Sequence, residues 1–262
     1  KLDTPEFQRA LLEQAKATVG ADARLKETDL SLLSGVTLRG IAVANPAPFE
    51  GDLLAAEAFV LRYRLRPLLA GRVEVERLSL EKPALALALD ARGAFNYEKL
   101  GGAASPPPAS AAPAAAAVVP FRVVLKRLSV EDASIVMTDH TKARLLTVED
   151  ADFRSAFEIE GGIAQGEGEA TVATVNLADL LFVRGVRSPL TMSKETVRLS
   201  PIRGRVAGGE VTGDVTVHLR GGFRYVANLE VKGAEVKTLL AEAKSTGGLT
   251  GKLAAKATFE GR

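Results

Sequence analysis

Apolar and polar positions along the chain follow two successive periods. Near the N-terminus Phe7, Leu11 and Ala15 recur every four residues, with Leu12 and Val19 alongside, the spacing of one helical face. Thr4-Pro5-Glu6 supplies a cap, a proline for the first helical position and an acid at the positive end of the dipole, and Gly20 can close the helix. The pattern predicts an N-terminal amphipathic helix of about 15 residues, packed on a sheet or lying at a membrane surface. Beyond Gly20 the period becomes two. Phe59, Leu61, Tyr63 and Leu65 alternate with Val60, Arg62 and Arg64, and Arg66 continues the basic side. Residues 67–71 then turn the chain. Val73 and Val75 lead into Leu78 and Leu80, and the slip of one residue near Arg77 predicts a bulge. Leu85, Leu87 and Leu89 follow, spaced by alanines, up to Gly93.

The last third alternates most clearly. Val211, Val215, Val217 and Leu219 form one run, with Gly213 at the matching position. Gly221-Gly222 turns the chain into Phe223, Tyr225, Ala227, Leu229 and Val231. A short helix is expected over residues 235–244. After Gly247-Gly248, Leu249, Leu253, Ala255, Ala257 and Phe259 alternate again. Glycine turns between strands of about nine residues are antiparallel meander signals. An internal echo accompanies them: Ile41-Ala42-Val43-Ala44-Asn45-Pro46, Leu78-Ser79-Leu80-Glu81-Lys82-Pro83 and Leu128-Ser129-Val130-Glu131-Asp132-Ala133 are alike. Their irregular spacing argues against a strict solenoid and for a sheet lengthened by a repeated unit.

Composition narrows the functional classes. A chain of 262 residues makes one or two domains with ample core. Residues 101–120 are a Pro/Ala-rich stretch almost without charge and are expected to be a loop or linker. They separate an N-terminal module, residues 1–100, from residues 121–262. Lys+Arg 34 against Asp+Glu 32 gives no field that nominates nucleic acid as a partner. Two histidines and no cysteine leave little material for a metal site or thiol chemistry. His140 and His218 lack a second ligand nearby and are expected to be exposed. Gly161-Gly162, Gly166 and Gly168 lack the Lys-Ser/Thr of a phosphate loop and are read as a turn, with Asp150 and Asp152 facing solvent at the head of a strand. No nucleophile elbow is present. No catalytic residue, metal or cofactor is assigned, and the chain is not expected to be an enzyme. About ten strands with two short helices leave two solutions: a closed sandwich or barrel, or a trough whose apolar face marks a ligand or partner surface. Ala227 and Ala255, on the apolar phase, would leave room in a trough.

Several segments resemble the AsmA family. These are Thr4-Pro5-Glu6-Phe7 through Gly20, Leu38-Arg39-Gly40-Ile41-Ala42-Val43-Ala44-Asn45-Pro46 with Phe49, and Leu65-Arg66-Pro67-Leu68-Leu69-Ala70-Gly71-Arg72. Arg77-Leu78-Ser79-Leu80-Glu81-Lys82-Pro83, Gly93-Ala94-Phe95-Asn96-Tyr97, Ile202-Arg203-Gly204-Arg205, Gly209-Glu210-Val211-Thr212-Gly213-Asp214 and Leu249-Thr250-Gly251-Lys252-Leu253 add to the likeness. It covers nearly all of the chain outside 101–120. The family's N-terminal membrane helix and its long C-terminal continuation have no counterpart here, so the chain reads as a fragment cut at both ends.

The resemblance implies a periplasmic protein anchored in a bacterial inner membrane, with an N-terminal domain similar to the chorein-type domain of bridge-like lipid transfer proteins. It implies a mainly β fold, a long curled antiparallel sheet forming an open hydrophobic groove that carries phospholipid acyl chains between membranes for outer-membrane biogenesis. The partners so implied are phospholipids or other membrane lipids, the inner membrane and envelope proteins; the rival expectation is a non-catalytic scaffold with a closed core. The expected groove lining is Phe59, Leu61, Tyr63, Leu65, Leu85, Leu87, Leu89, Val215, Val217, Leu219, Phe223, Tyr225, Leu229 and Val231. Arg62, Arg64 and Arg66 are the candidate headgroup contacts.

Overall fold

Period-two segments rich in Val, Leu and Ala become strands of a single sheet. The structure, a computed structural model, describes residues 13, 20–31, 35–64, 72–100, 122–160, 163–219, 224–245 and 247–261. Among them fourteen strands form one sheet. They are β1 (Ala23–Arg24), β2 (Glu27–Ser31), β3 (Gly35–Ala44), β4 (Asp52–Arg64), β5 (Arg72–Glu81), β6 (Ala84–Ala88) and β7 (Arg122–Thr138). There follow β8 (Arg144–Glu160), β9 (Ile163–Leu177), β10 (Leu181–Lys194), β11 (Thr196–Val206), β12 (Gly209–His218), β13 (Arg224–Glu235) and β14 (Lys252–Gly261). The expected helix over 4–20, apart from exposed, helical Glu13 and Gly20, lies outside the described residues, as do 101–120, Leu65, Arg66, Gly161-Gly162, Gly221-Gly222 and Phe223. The expected short helix forms as α1, Val236–Glu242.

Strands follow one another in chain order, with β1 and β2 both on β3 and β6 bridging β4 and β7. The sheet departs from the expected antiparallel order at one place: β5 and β6 run parallel to β7. A parallel neighbour needs a long crossover, and the chain between β6 and β7 supplies it. The internal echo is the register of this pair: Leu78, Ser79, Leu80 and Glu81 lie directly beside Leu128, Ser129, Val130 and Glu131. The bulge expected near Arg77 is present, where the β4–β5 register shifts between Arg62 and Tyr63.

A transverse crease crosses the strands at a common level. Gly40 on β3 (φ 61°) lies across from Glu57, which pairs with Lys82 (φ 45°) at 2.8 Å. Beside Lys82 runs Asp132 (φ 54°), whose N–H donates to the Asp152 carboxylate at 3.2 Å, and Asp150 (φ 49°) follows on β8. Gly185 on β10 (φ 61°) continues the line, which the registers carry on through Gly204, Val211 and Val231. The left-handed conformation costs a non-glycine residue roughly 1–2 kcal/mol. Asp is among the residues that tolerate it best. The acidic pair Asp150 and Asp152 is therefore mid-strand at the crease, not at a strand head. The hydrogen bond and charge of Lys82 hold the Glu57 carboxyl below its ordinary range, and Glu57 raises Lys82 in return.

Past β6, the 3-10 helix Asn96–Lys99 folds back and is fastened by one side chain. Asn96 is fully buried. Its Nδ2 donates to Asn45 Oδ1 at 2.7 Å and to Ala86 O at 2.8 Å, while its Oδ1 accepts from the Ala88 and Tyr97 N–H groups. Buried polar groups left unpaired cost about 1–3 kcal/mol each. Asn96→Leu is therefore expected to lower stability by about 2–4 kcal/mol, read as a fall in the urea midpoint at unchanged slope.

Candidate functional site: the apolar face of the sheet

Residues directly opposite in neighbouring strands project to the same face, so the registers trace rows perpendicular to the strands. One row is Tyr63, Val75, Leu125, Phe157, Gly166, Met192, Val197, Val217 and Tyr225. The next is Val36, Leu61, Leu78, Leu128, Ser155, Gly168, Leu190, Leu199, Val215, Ala227 and Phe259, from β3 to β14. A third begins Leu38, Phe59, Leu80, Val130, Phe153, Ala170 and Ser188. The few hydroxyls are occupied locally: Ser155 donates to Glu167 O at 2.9 Å and Ser188 to Pro189 O at 2.8 Å.

Beyond the crease the rows resume as Val43, Leu54, Leu85, Ile135, Val148, Val175, Val183 and Val206, then Leu87, Met137, Leu146, Leu177 and Leu181. They lie on the same face. A side-chain carbon built on Gly204 would stand 3.2 Å from both Val183 and Val186, on either side of Gly185. Val206 clusters with Val211, which shares its phase on β12 with Val215 and Val217.

The face is open along most of its length. Leu125 and Leu190 are buried, but most of the other apolar members keep intermediate exposure, and Phe259 and Tyr225 are 52% and 41% exposed. Substantial contacts among the described elements are almost all between hydrogen-bonded neighbour strands. The exception is the corner under α1, where Leu239 packs on Val206, Ala207, Val211 and Ala234. The 3-10 helix brings a second cover at β6, where Phe95 and Tyr97 stack at 5.0 Å. Burial first, then the nearby Glu98 and Tyr225, push the Tyr97 hydroxyl above its ordinary range.

Of the expected lining, Phe59, Leu61, Tyr63, Leu85, Leu87, Val215, Val217, Tyr225, Leu229 and Val231 stand on this face. Leu89 bridges to Phe95, and Leu219 follows β12 with its N–H on Glu195 O. Leu65 and Phe223 are outside the described residues. Arg62 and Arg64 project from the opposite, polar face, Arg62 across from Arg77 and Arg64 ion-paired to Glu76.

The middle of the face, β7 to β11, escaped the sequence reading. Leu125, Leu128, Val130 and Ala133 are spaced three, two and three apart because bulges interrupt the alternation. The echo between 78–81 and 128–131 was the available signal. Gly166 and Gly168 lie within β9, not in a turn. A side chain on Gly166 would meet Ala156 O at 2.3 Å and Phe157 Cβ at 2.5 Å, so glycine here lets β8 press close. His140 sits exposed in the turn after β7, and His218 closes β12, exposed and across from Arg224.

Among the described residues one sheet turns an apolar face outward across its strands, and a protein so built offers an extended apolar surface. The AsmA family matches residues 2–196. The chain belongs to the AsmA family. No curated protein matches it. Among the described residues no helix is long and apolar enough to cross a membrane, and no group of His, Asp and Glu could hold a metal ion.

An apolar face left open in the native state should bind a hydrophobic dye without denaturant. Anilinonaphthalene sulfonate fluorescence is expected to be high in the folded protein and to fall at least twofold in Leu61→Gln/Leu128→Gln, with the far-ultraviolet circular dichroism unchanged.

Proposed function

We propose that this chain is the periplasmic part of an inner-membrane-anchored protein that conducts phospholipid acyl chains along the apolar face, between inner and outer membranes, in support of outer-membrane biogenesis. Membership of a family of envelope-associated proteins supports the setting. The observation that carries the mechanism is the continuity of the apolar rows across the sheet.

Exposing a lipid chain to water costs about 0.8 kcal/mol per CH₂, so a chain of about 16 carbons costs on the order of 13 kcal/mol. A surface about as apolar as the bilayer removes most of that barrier. Rows run perpendicular to the strands and advance about 4.8 Å per strand. From Val36 to Phe259 ten such steps make roughly 50 Å of unbroken path. The movement needs no catalytic residue, and tight binding would slow it. Half-buried side chains suit this role: they offer surface without a fixed pocket.

The second reading is a non-catalytic scaffold with a closed core, and the packed corner beneath α1 is the observation that favours it. Native mass spectrometry with lipid extraction, on protein purified from bacterial membranes, separates the two. Co-purifying phospholipid is expected in the wild type. Val217→Asp sets a carboxylate between Val197 and Tyr225 of an apolar row and should reduce that lipid at least tenfold, while Val217→Leu retains it. Equal lipid in Val217→Asp, with its fold intact, removes the lining from the proposal; a lipid-free wild type favours the scaffold.

A further inference from the structure

The polar face carries a cluster of charge that lipid conduction does not use. β10 and β11 set arginine against arginine: Arg184 faces Arg205, and Arg187 faces Arg203. Like charges directly opposed across an antiparallel pair destabilise it, and here two such pairs are adjacent. The crease gathers them. At Gly185 the β10 arginines are three residues apart while their partners on β11 are two apart, and the register shifts between the pairs. Arg203 and Arg205 alternate with buried Ile202 and Val206, so they project away from the apolar face.

Arg184 is neutralised by Glu242 of α1 at 2.7 Å. Among the described residues Arg187, Arg203 and Arg205 form no ion pair, and all three are exposed. They line an open cleft of about 480 Å³ whose one carboxylate is Glu210. Three guanidinium groups against one carboxylate leave the cleft positive.

We propose that this cleft binds a phosphate group. A guanidinium is a planar fork that matches two oxygens of an anion, and it stays charged at every physiological pH. A carboxylate has two oxygens in one plane and satisfies one such fork. A tetrahedral phosphate has oxygens pointing in several directions, and can meet forks arriving from two strands at once. Its charge turns the mutual repulsion of the arginines into attraction. The group can come from a phospholipid headgroup at a bilayer surface or from a soluble phosphate ester.

The test is a titration of the folded protein with inorganic phosphate at constant ionic strength, chloride replacing phosphate in the reference, followed by ³¹P nuclear magnetic resonance. Saturable binding is expected, and Arg203→Gln/Arg205→Gln should weaken it at least tenfold. Phosphate should raise the wild-type Tm above that in chloride and leave the variant's unchanged. Arg187→Gln, on the other strand, is the independent variant should the double substitution fail to fold, and the same weakening is expected. Glycerol phosphate and phosphatidylglycerol vesicles distinguish the sources. Vesicle binding lost in the variants assigns a headgroup, and binding of glycerol phosphate alone assigns a soluble ester. Phosphate bound no better than chloride overturns the proposal, as does equal binding by wild type and variants, or capture of a polyglutamate peptide without phosphate binding.

Discussion

A strand that slips by one residue turns its whole apolar set to the other face, and the rest of this molecule depends on that never happening. From β3 to β14 each strand must present its apolar positions on the side chosen by its neighbour, or the surface is interrupted. Pairing enforces this locally, one strand at a time. The strands of β7 to β10 are long, 14 to 17 residues, and a strand of that length twists. The crease is the response: neighbouring strands change phase at the same level, so that Val130 and Ala133, or Val183 and Val186, remain on one side.

Small residues complete the surface. Gly166 and Gly168 stand beside Phe157 and Ser155 on β8, and Gly213 lies across from Leu229, where a side chain would meet Asn228 O at 2.1 Å. Large side chains thus lie over backbone instead of over one another, which keeps the face shallow. The polar face is built differently. Of its ion pairs, Lys82 with Glu57 and Lys256 with Glu230 cross strand boundaries, and Lys232 with Glu230 lies along β13. Exposed pairs contribute little each, and this face is not solvated throughout: Thr37, Ser79 and Ser129 on it are buried.

Much of this was legible in the sequence where alternation is strict. The phase of β12, β13 and β14 follows directly from Val215, Val217, Tyr225, Leu229 and Val231, and the slip near Arg77 announced its bulge. The reading failed where a phase change is made by residues other than glycine. Asp132 and Asp150 adopt the left-handed conformation without any local signature, and the runs around them look irregular. The parallel step was hidden for another reason: the likeness of 78–81 to 128–131 is a statement about neighbours in space, which spacing along the chain does not disclose. Alternation alone puts Arg62 and Arg64 on one strand face, while the arginines of β10 and β11 face each other across strands, and only register brings them together.

Because nearly all substantial contacts among the described residues join adjacent strands, the described sheet is close to a one-dimensional array. Its cohesion is then approximately a sum of nearest-neighbour terms, and the loss of an end strand removes one term and leaves the others standing. Such an array frays inward from its margins instead of melting at once. β7 to β9, with the longest mutual pairing, are the last segment to let go. An array of this kind lengthens strand by strand at nearly constant energetic cost, so its reach is set by the number of strands it carries.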